Sequence, residues 1–525
     1  MARLSRPAGL SRLNVVCFLA LLLFVSFIFI PPVYVLSYAF KTNFTLDEAG
    51  EAALVNSLVI GVAITLLDLT FGLPVAWVMA RRRNLRFRHL FDTLIDMPLV
   101  VPTSVLGLSA FYFWGGGVGG LLGVEGGLIG KGPVLVALLH VVFTFPYVVR
   151  SIEAAVFQID RTHEQAATML GAPPLTVFRT ISLPLFRKGV ISGAILAFTR
   201  SISETGATMM VAGLFSTAPT MVVEYKKASD IPSAAAVSVV LIVAAVLLLV
   251  STKLLSGGFR VPVFRVWPRE ERILGRRYVG LRNAVVSFAV LAVILLPTFY
   301  IVLTGLDTVN GRTFSELMND QTMVDGIVLS FAVGFIVTAL NLLLAIPMGL
   351  LIARNMFHAG GAVDTLSDII LMVPTSALGL SLSLFWGNLA FNELLVLILA
   401  HLSFTFPLML KPISAAFSGV DPSLEDAART LGAGQTRVFR TVVYPLVRPG
   451  VVAGIIMTFM RSLSETGATL SVSERIKTVP VLLVDLFARG EVEDKTVLAC
   501  VILFAISFAF IILLKRSDAS KNAAG

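Results

Sequence analysis

The chain has 525 residues, of which 56% are apolar and only 14% are charged. Soluble domains carry about 45–50% apolar and about 25% charged residues, so this composition excludes a soluble multidomain enzyme and predicts a membrane protein. The net charge of +9 would suggest a nucleic-acid partner in a soluble protein, but the placement of the basic residues gives another explanation.

Twelve stretches are apolar enough to cross a bilayer, which takes about 20 residues per helix. The predicted spans are residues 14–40, 54–80, 90–114, 133–157, 189–215, 232–256, 281–305, 324–353, 363–386, 393–417, 449–472 and 496–514. The first span is too long for a signal peptide and lacks a small-residue cleavage site. Cys17 and Cys500 lie in apolar runs at opposite ends of the chain, so no disulfide or metal framework is predicted.

Basic residues are concentrated on one side of this predicted bundle. Twelve spans place both termini and the even-numbered connections on the same side, which carries 28 Lys and Arg residues against 9 on the other side. The positive-inside rule then predicts that both termini are cytoplasmic and that the protein lies in the cell (inner) membrane. Topology therefore accounts for the net charge, and we expect the lipid bilayer rather than nucleic acid as a partner.

The chain contains an internal repeat. His140–Thr208 aligns without gaps with His401–Thr469 at an offset of 261, with 35 of 69 positions identical. We therefore divide the chain into a first six-span repeat (residues 1–260), a cytoplasmic linker (261–280) and a second repeat (281–525). Six spans are an even number, so the repeats share one orientation and are related by a pseudo-twofold axis along the membrane normal. Such an axis suits a central pathway.

Spans 3 and 9 contain the same helix-breaking sequence. Pro102, Thr103 and Ser104 of the first repeat correspond to residues of the second repeat at an offset of 272, namely Pro374, Thr375 and Ser376. A broken helix within the bilayer is tolerated where it lines a cavity. We interpret both segments as gate candidates on the pathway, while a plain proline kink remains the alternative.

The long connections after spans 4 and 10, residues 158–188 and 418–448, are also alike. Their shared positions are Glu164, Gln165, Ala166, Ala167, Gly171 and Pro184 in the first and Glu425, Asp426, Ala427, Ala428, Gly432 and Pro445 in the second. Asp421-Pro422 predicts a helix start in the second copy, and the glycine predicts its end. The alanine pair leaves a flat face for docking against another protein. An ordinary amphipathic surface helix is the alternative.

These connections resemble the EAA loop of permeases in ATP-binding-cassette (ABC) importers, which reads E-A-A, three residues, G, nine residues, I-x-L-P. Gly171, Ile181, Leu183 and Pro184 fit that pattern, whereas Gln165 and Asp426 replace the motif glutamate and Val442 and Tyr444 replace Ile and Leu in the second copy. The resemblance implies a type I importer permease with the MetI-like fold, twelve transmembrane helices in two parallel six-helix repeats. It also implies that each loop is a coupling helix seated in an ATPase subunit.

The same resemblance implies a transport subunit that is not itself an enzyme. Two ABC ATPase subunits are expected at the cytoplasmic face, and a substrate-binding protein is expected on the extracytoplasmic side. Gly130-Lys131-Gly132 lacks the spacing of a P-loop and the Ser or Thr that follows it, so no cofactor is expected in this chain, and ATP-Mg²⁺ is expected in the partner ATPase.

Ionisable residues inside spans are costly and are functional candidates by default. Spans 5 and 11 each carry Arg-Ser-x-Ser-Glu-Thr-Gly-Ala-Thr, in which Arg200, Ser203 and Glu204 correspond to Arg461, Ser464 and Glu465. The spacings i, i+3 and i+4, continued by Ala207 at i+7, predict one helical face lining the central pathway. A structural ion pair within each repeat is the alternative interpretation.

His140 and His401 could suggest a metal site, but they have no carboxylate or cysteine companions nearby in sequence. We therefore interpret them as hydrogen-bonded packing residues.

The cargo is less well determined by sequence. The stretch from Arg200 to Gly213 is similar to that of molybdate, tungstate and sulfate permeases, although Thr205 and Thr466 stand where that family has an aromatic residue. Fusion of both repeats in one chain is instead typical of ferric-iron and thiamine permeases. We expect an inorganic oxyanion, with ferric iron or thiamine as alternatives.

Two other classes of membrane protein are alternatives to this interpretation. A major-facilitator secondary transporter also has two parallel six-span repeats, but its basic loop between spans 2 and 3 would be expected in both repeats. Arg81-Arg82-Arg83 provides it once, and the second repeat has only Arg354 there. A membrane-embedded enzyme would need a metal-ligand cluster, a nucleophile elbow or paired carboxylates, and the sequence shows none of them.

Overall fold

The structure is a computed structural model that describes residues 9–42, 44–81, 88–117, 128–255, 285–286, 288–354, 360–389 and 391–522. The described residues form helices, turns and loops. The predicted linker, residues 261–280, lies outside this described part of the chain.

In the part of the chain that the structure describes, ten helices are long and apolar enough to cross a membrane, and two bent helix pairs bring the number of spans to as many as twelve. The ten are α1 (Phe18–Lys41), α2 (Glu48–Arg81), α5 (Pro133–Phe157), α7 (Pro174–Ser203), α10 (Ile231–Ser251), α11 (Phe288–Thr308), α13 (Gln321–Ala353), α16 (Glu393–Ser418), α18 (Gln435–Leu463) and α21 (Asp494–Leu513). The bent pairs are α3 (Leu90–Val100) with α4 (Thr103–Gly117) and α14 (Gly361–Met372) with α15 (Thr375–Gly387). The prediction of an all-helical membrane protein is confirmed.

Among the described residues, seven shorter helices occupy the ends of the bundle or continue a broken span. They are α6 (Arg161–Met169), α8 (Gly206–Val211), α9 (Ala218–Lys227), α12 (Gly311–Asn319), α17 (Pro422–Thr430), α19 (Gly467–Val472) and α20 (Val479–Arg489). We call the side of the bundle that carries α6 and α17 the coupling face, and the opposite side, which carries α9 and α20, the outer face.

Spans 3 and 9 break where the sequence predicts. The two parts of each span meet at 107° in both repeats. Proline fixes its own φ and disfavours helical geometry in the residue before it, so Val101-Pro102 and Val373-Pro374 interrupt the helix. Pro102 and Pro374 have ψ values of 131° and 136°, which is extended backbone.

Spans 5 and 11 differ from the prediction at both ends. They begin at Pro174 and Gln435, so the Ile-x-Leu-Pro part of each EAA-like loop is already helical. A π-helical turn at Phe178–Ser182 and another at Phe439–Val443 absorb one extra residue there. Both spans also end earlier than predicted, at Ser203 and Leu463, and the chain resumes as the separate short helices α8 and α19.

Within each repeat, spans 2, 4 and 5 form the main bundle: α2, α5 and α7 in the first and α13, α16 and α18 in the second. The first spans are exchanged between the repeats, because α1 packs on α15 and α11 packs on α4. The rings of Phe24 and Phe406 are in contact, with centroids 5.0 Å apart and planes tilted by 39°. The buried Ser109 hydroxyl donates to the Pro297 carbonyl at 2.5 Å. The two repeats are therefore interlocked through their first spans.

Candidate functional site

Spans 5 and 11 are interrupted at their glutamates. After α7 ends at Ser203, Glu204 adopts extended backbone with φ −76° and ψ 132°, and α8 begins at Gly206. A carboxylate stabilises the positive N-terminal end of a helix. Glu204 accepts the Ala207 N–H at 3.1 Å, and Glu465 accepts the Ala468 N–H at 2.8 Å. The continuous face from Arg200 to Ala207 predicted from the sequence is therefore wrong, because Ala207 belongs to a different helix.

Each glutamate also pairs with the arginine of its own repeat. The Arg200–Glu204 and Arg461–Glu465 pairs both have N–O distances of 2.6 Å. The Glu204 and Glu465 side chains are only 5% and 2% exposed, and the guanidinium of Arg200 also lies 4.8 Å from the Phe143 ring centroid. The two pairs thus neutralise their charges inside each repeat. Ser203 and Ser464 donate to the carbonyls of those arginines at 3.1 Å, within the last helical turn.

The two histidines connect the parts of these broken spans. His140 lies 2.8 Å from the Ser201 hydroxyl, before the break, and 2.9 Å from the Thr208 hydroxyl, after it. In the second repeat, His401 contacts Ser462 at 2.8 Å and Thr469 at 3.0 Å. Both ring nitrogens of each histidine are therefore occupied by hydroxyl groups. Among the residues that the structure describes, no group of three or more His, Cys, Asp or Glu side chains could hold a metal ion.

This arrangement predicts the effect of replacing His401 by phenylalanine. The ring volume is kept, but two buried hydroxyls lose their partner, and each orphaned group costs about 1–3 kcal/mol. We expect a lower thermal unfolding midpoint for the purified variant. The matched control is Ser403→Ala, since Ser403 is buried in the same helix and its hydroxyl has no hydrogen-bond partner. Equal midpoints for the two variants would contradict the bridging role.

The repeats meet at the two breaks. A Cβ placed on Gly206 would lie 2.5 Å from the Thr466 Cβ, and one placed on Gly467 would lie 2.6 Å from the Thr205 hydroxyl oxygen. Thr205 and Thr466 are both 2% exposed. We call these four residues the threonine-glycine layer. These four residues lie next to the predicted site residues, but they were not among the predicted site residues themselves. The repeated Glu-Thr-Gly sequence was a signal that could have identified them.

A second, apolar layer lies toward the outer face. Met209 and Leu470, one helical turn beyond the threonines, pack with Val223 of α9 and Val481 of α20. Leu470, Val223 and Val481 are buried at 4%, 0% and 1% exposure. Residues of both repeats therefore fill the space around the pseudo-twofold axis on the outer side of the threonine-glycine layer, so the bundle is closed there.

The Pro-Thr-Ser segments support this closed region directly. A Cβ on Gly107 would lie 3.2 Å from the Ala207 Cα, and one on Gly379 would lie 2.7 Å from the Ala468 carbonyl oxygen. Thus α4 packs closely against α8, and α15 packs against α19. The two sets of predicted pathway residues come together at one level. Four hydroxyls of this region are buried and have no hydrogen-bond partner among the described residues: Ser104, Ser376, Thr205 and Thr466.

Charged residues that the sequence did not single out hold the inner halves of the bent spans. Arg150 of α5 binds Asp92 at 2.8 Å and Asp96 at 2.7 Å, both on α3. Lys411, its repeat partner, binds Asp364 at 2.6 Å and Asp368 at 2.7 Å, both on α14. The pairing of two acids one turn apart, present in both repeats, was the available signal.

The coupling face carries the two predicted short helices. Asp160 and Asp421 each accept a backbone N–H at 2.9 Å from the second residue beyond them, which makes them N-caps. These hydrogen bonds lower the pKa of both carboxyls, the bonds to Thr162 and Ser423 being the main cause. Gly171 and Gly432 have φ of +84° and +83°, the left-handed conformation that glycine adopts after a helix C-terminus. The predicted helix start and end are confirmed.

Exposure separates the two faces of these helices. Leu170 and Leu431 are each 89% exposed, although water disfavours such apolar side chains. Glu164 turns inward and pairs with Arg81 at the end of α2 at 2.5 Å, and Glu425 pairs with Arg354 at the end of α13. The helices thus present leucine outward and are fixed to span 2 or span 8 by their glutamate. Sequence reasoning missed both leucines and both arginine tethers.

Comparisons with known proteins agree with this architecture. Residues 72–261 and 345–521 each match the family described as "Binding-protein-dependent transport system inner membrane component". The chain is similar to the molybdate/tungstate transport system permease protein WtpB of Methanocaldococcus jannaschii, at 32% identity over 198 residues, covering 38% of this chain and 78% of that protein.

Two further relatives are of the same kind. The molybdenum transport system permease protein ModB of Mycobacterium tuberculosis is 35% identical over 221 residues, covering 41% of this chain and 81% of the relative. The probable sulfate transport system permease protein cysT of Helicosporidium sp. subsp. Simulium jonesii is 30% identical over 223 residues, covering 39% and 76%. These matches do not favour the major-facilitator alternative. The chain belongs to the inner-membrane components of binding-protein-dependent transport systems, and it is a multi-pass ABC importer permease in which this family's domain occurs twice.

Proposed function

We propose that this permease conducts an inorganic oxyanion of the molybdate, tungstate or sulfate type along the pseudo-twofold axis. The observation that carries the proposal is the set of four buried, unpartnered hydroxyls around the closed region, Ser104, Ser376, Thr205 and Thr466. A buried hydroxyl without a partner is costly, and it can donate to an oxyanion that passes between the repeats. The names of the similar proteins support the same class of cargo.

The coupling face is proposed to bind two separate ATPase subunits, one at α6 and one at α17. Leu170 and Leu431 would insert into a groove of each subunit, and the Arg81–Glu164 and Arg354–Glu425 pairs would transmit the movement to α2 and α13. ATP-Mg²⁺ would bind in those subunits and not in this chain. When the subunits approach each other, the two coupling helices would be drawn together and the threonine-glycine layer would open.

The sidedness follows from the positive-inside rule. Both termini and the coupling face are proposed to be cytoplasmic, and the outer face is proposed to receive a loaded binding protein. The domain boundaries at residues 260 and 281 belong to this proposal too. In the proposed transport cycle, the Arg200–Glu204 and Arg461–Glu465 ion pairs hold the helix breaks in place. The buried hydroxyl groups are placed beside these breaks by the segments at Pro102-Thr103 and Pro374-Thr375.

The test is uptake into proteoliposomes that contain the complete transporter and enclosed ATP. Labelled molybdate is supplied outside with the cognate binding protein, and unlabelled tungstate, sulfate, ferric ion and thiamine are each added as competitors. Molybdate uptake that is competed by tungstate or sulfate supports the oxyanion. Absence of molybdate uptake, with uptake of labelled ferric ion or thiamine in the same vesicles, would replace the oxyanion as the cargo. Molybdate uptake by this chain without any ATPase subunit would contradict the coupling scheme.

A further inference from the structure

We infer that Lys226 of α9 is the cationic group that first receives the anionic cargo when the outer layers open. This inference rests on the proposed oxyanion function. It concerns a residue on the outer face, next to the apolar layer, because Val223 of that layer lies one helical turn before Lys226 on the same side of α9.

The ammonium of Lys226 joins the two repeats. Its Nζ donates to the carbonyl oxygens of Ser471 and of Val472, the latter at 3.1 Å, and lies 3.4 Å from the Ser383 hydroxyl. All three partners belong to the second repeat. Ser471 and Val472 are the last residues of α19, which follows the break at Thr466. Any movement that separates α9 from α19 therefore takes these carbonyls away from the ammonium.

The position of this charge is unfavourable in the closed structure. Lys226 is half-buried, and in the described part of the chain the ammonium contacts two carbonyl oxygens and one hydroxyl. Burial lowers its pKa to about 8, while the more distant Glu474 and Glu393 act in the opposite direction. Glu393 itself accepts the Ser473 hydroxyl at 2.7 Å. A half-buried cation that contacts neutral oxygens is a candidate for binding an anion.

Neighbouring groups suit a small oxyanion. The Ser471 hydroxyl is fully buried and has no hydrogen-bond partner, and the Ser383 hydroxyl is the ammonium's third neighbour. Hydroxyl and ammonium donors together satisfy several oxygens of a tetrahedral anion. By contrast, the arginines deeper in the bundle are each neutralised by a glutamate of their own repeat, so they offer no net positive charge.

The two repeats differ at this position, where the first has a lysine and the second has an aromatic residue. At the repeat offset of 261, the residue that corresponds to Lys226 is Phe487 of α20. Phe487 packs on Phe111 of the first repeat with ring centroids 4.9 Å apart. Each of these helices thus contacts the other repeat, α20 through the Phe487 ring and α9 through the Lys226 ammonium. The Lys131 ammonium lies on the Phe487 ring, 4.3 Å from its centroid, whereas the Lys226 ammonium contacts carbonyl and hydroxyl oxygens. Such contacts can be exchanged for those of an anion when α9 and α19 separate.

The experiment uses the proteoliposome assay with the complete transporter and labelled molybdate. We expect Lys226→Met to lower the uptake rate at least tenfold and Lys226→Arg, which keeps the charge, to stay within about threefold of the wild type. The matched control is Lys227→Met, because Lys227 is the next residue and is exposed. Elution profile and basal ATPase rate report whether each variant is folded and assembled.

A pH series provides the second measurement and does not depend on the Met variant. Because burial lowers the pKa of Lys226 to about 8, the ammonium loses its proton at lower pH than an exposed lysine does. Wild-type uptake should therefore fall severalfold between pH 7 and pH 9, and Lys226→Arg should not show this fall. If Lys226→Met takes up molybdate at the wild-type rate, or if Lys226→Arg shows the same pH profile as the wild type, this inference is overturned and the proposed cargo is unaffected. Failure of the wild type to take up molybdate and sulfate would overturn both this inference and the proposed cargo.

Discussion

Replacing Leu170 and Leu431 together by aspartate should abolish co-purification of the ATPase subunits and reduce uptake to background. Each leucine is 89% exposed here, and burying a leucine side chain in a partner contributes about 1.5–3 kcal/mol. Loss of that contribution at both helices, with a charge added at each, weakens assembly by at least a hundredfold. The measurement is the ATPase-to-permease ratio after affinity purification of the permease.

The matched control for this pair is Leu214→Asp. Leu214 is fully exposed and lies at the outer end of the first repeat, separated from α6 by α7 and α8. An aspartate there should leave the ATPase-to-permease ratio unchanged. If Leu170→Asp with Leu431→Asp leaves the ratio at the wild-type value, the two short helices are ordinary surface helices and the proposed coupling is wrong.

The second large effect is expected at the threonine-glycine layer. In a variant without Cys17 and Cys500, Thr205→Cys with Gly467→Cys should form a disulfide under mild oxidation, because the Thr205 Cβ lies 3.0 Å from a Cβ built on Gly467. A small shift gives the 3.5–4.5 Å that disulfides require. Since the bond joins the repeats across the axis, uptake should fall to background and return after dithiothreitol is added.

A second cysteine pair controls for oxidation itself. Gly189→Cys with Ala155→Cys places two cysteines within the first repeat, where the corresponding Cβ separation is 2.4 Å. Because α5 and α7 belong to the same bundle, a disulfide between them should leave uptake largely intact. If the Thr205/Gly467 disulfide forms and transport continues at the wild-type rate, the layer does not open during transport, and the pathway must be sought elsewhere in the bundle.

The exchange of first spans affects how the repeats can move. Because α1 packs on α15 and α11 packs on α4, each bent span is held between its own repeat and the first span of the other. In addition, the ion pairs of Arg150 fix α3 to α5, and the ion pairs of Lys411 fix α14 to α16. Movement at the axis is therefore expected to involve the short helices α8 and α19 against these fixed elements.

The sequence by itself determined the features that depend on local pattern. Apolar length identified the spans, although not the bounds of spans 5 and 11, and the 261-residue offset identified the repeat. Proline at 102 and 374 identified the bent helices, Asp421 identified the start of α17, and the two glycines identified the ends of α6 and α17. Each of these follows from interactions within a few residues or from a count along the chain.

Only the tertiary structure decided which residues meet. Arg200 and Glu204 have a helical spacing, which predicts a continuous helix. In the structure the helix ends at Ser203, and Glu204 caps α8 instead. Arg81, Arg354 and Lys226 have their partners more than fifty residues away, and so do Asp92 and Asp96, the acids that Arg150 binds on α3. The physical reason is that the energy of a buried charge or hydroxyl depends on its surroundings, which sequence periodicity does not encode.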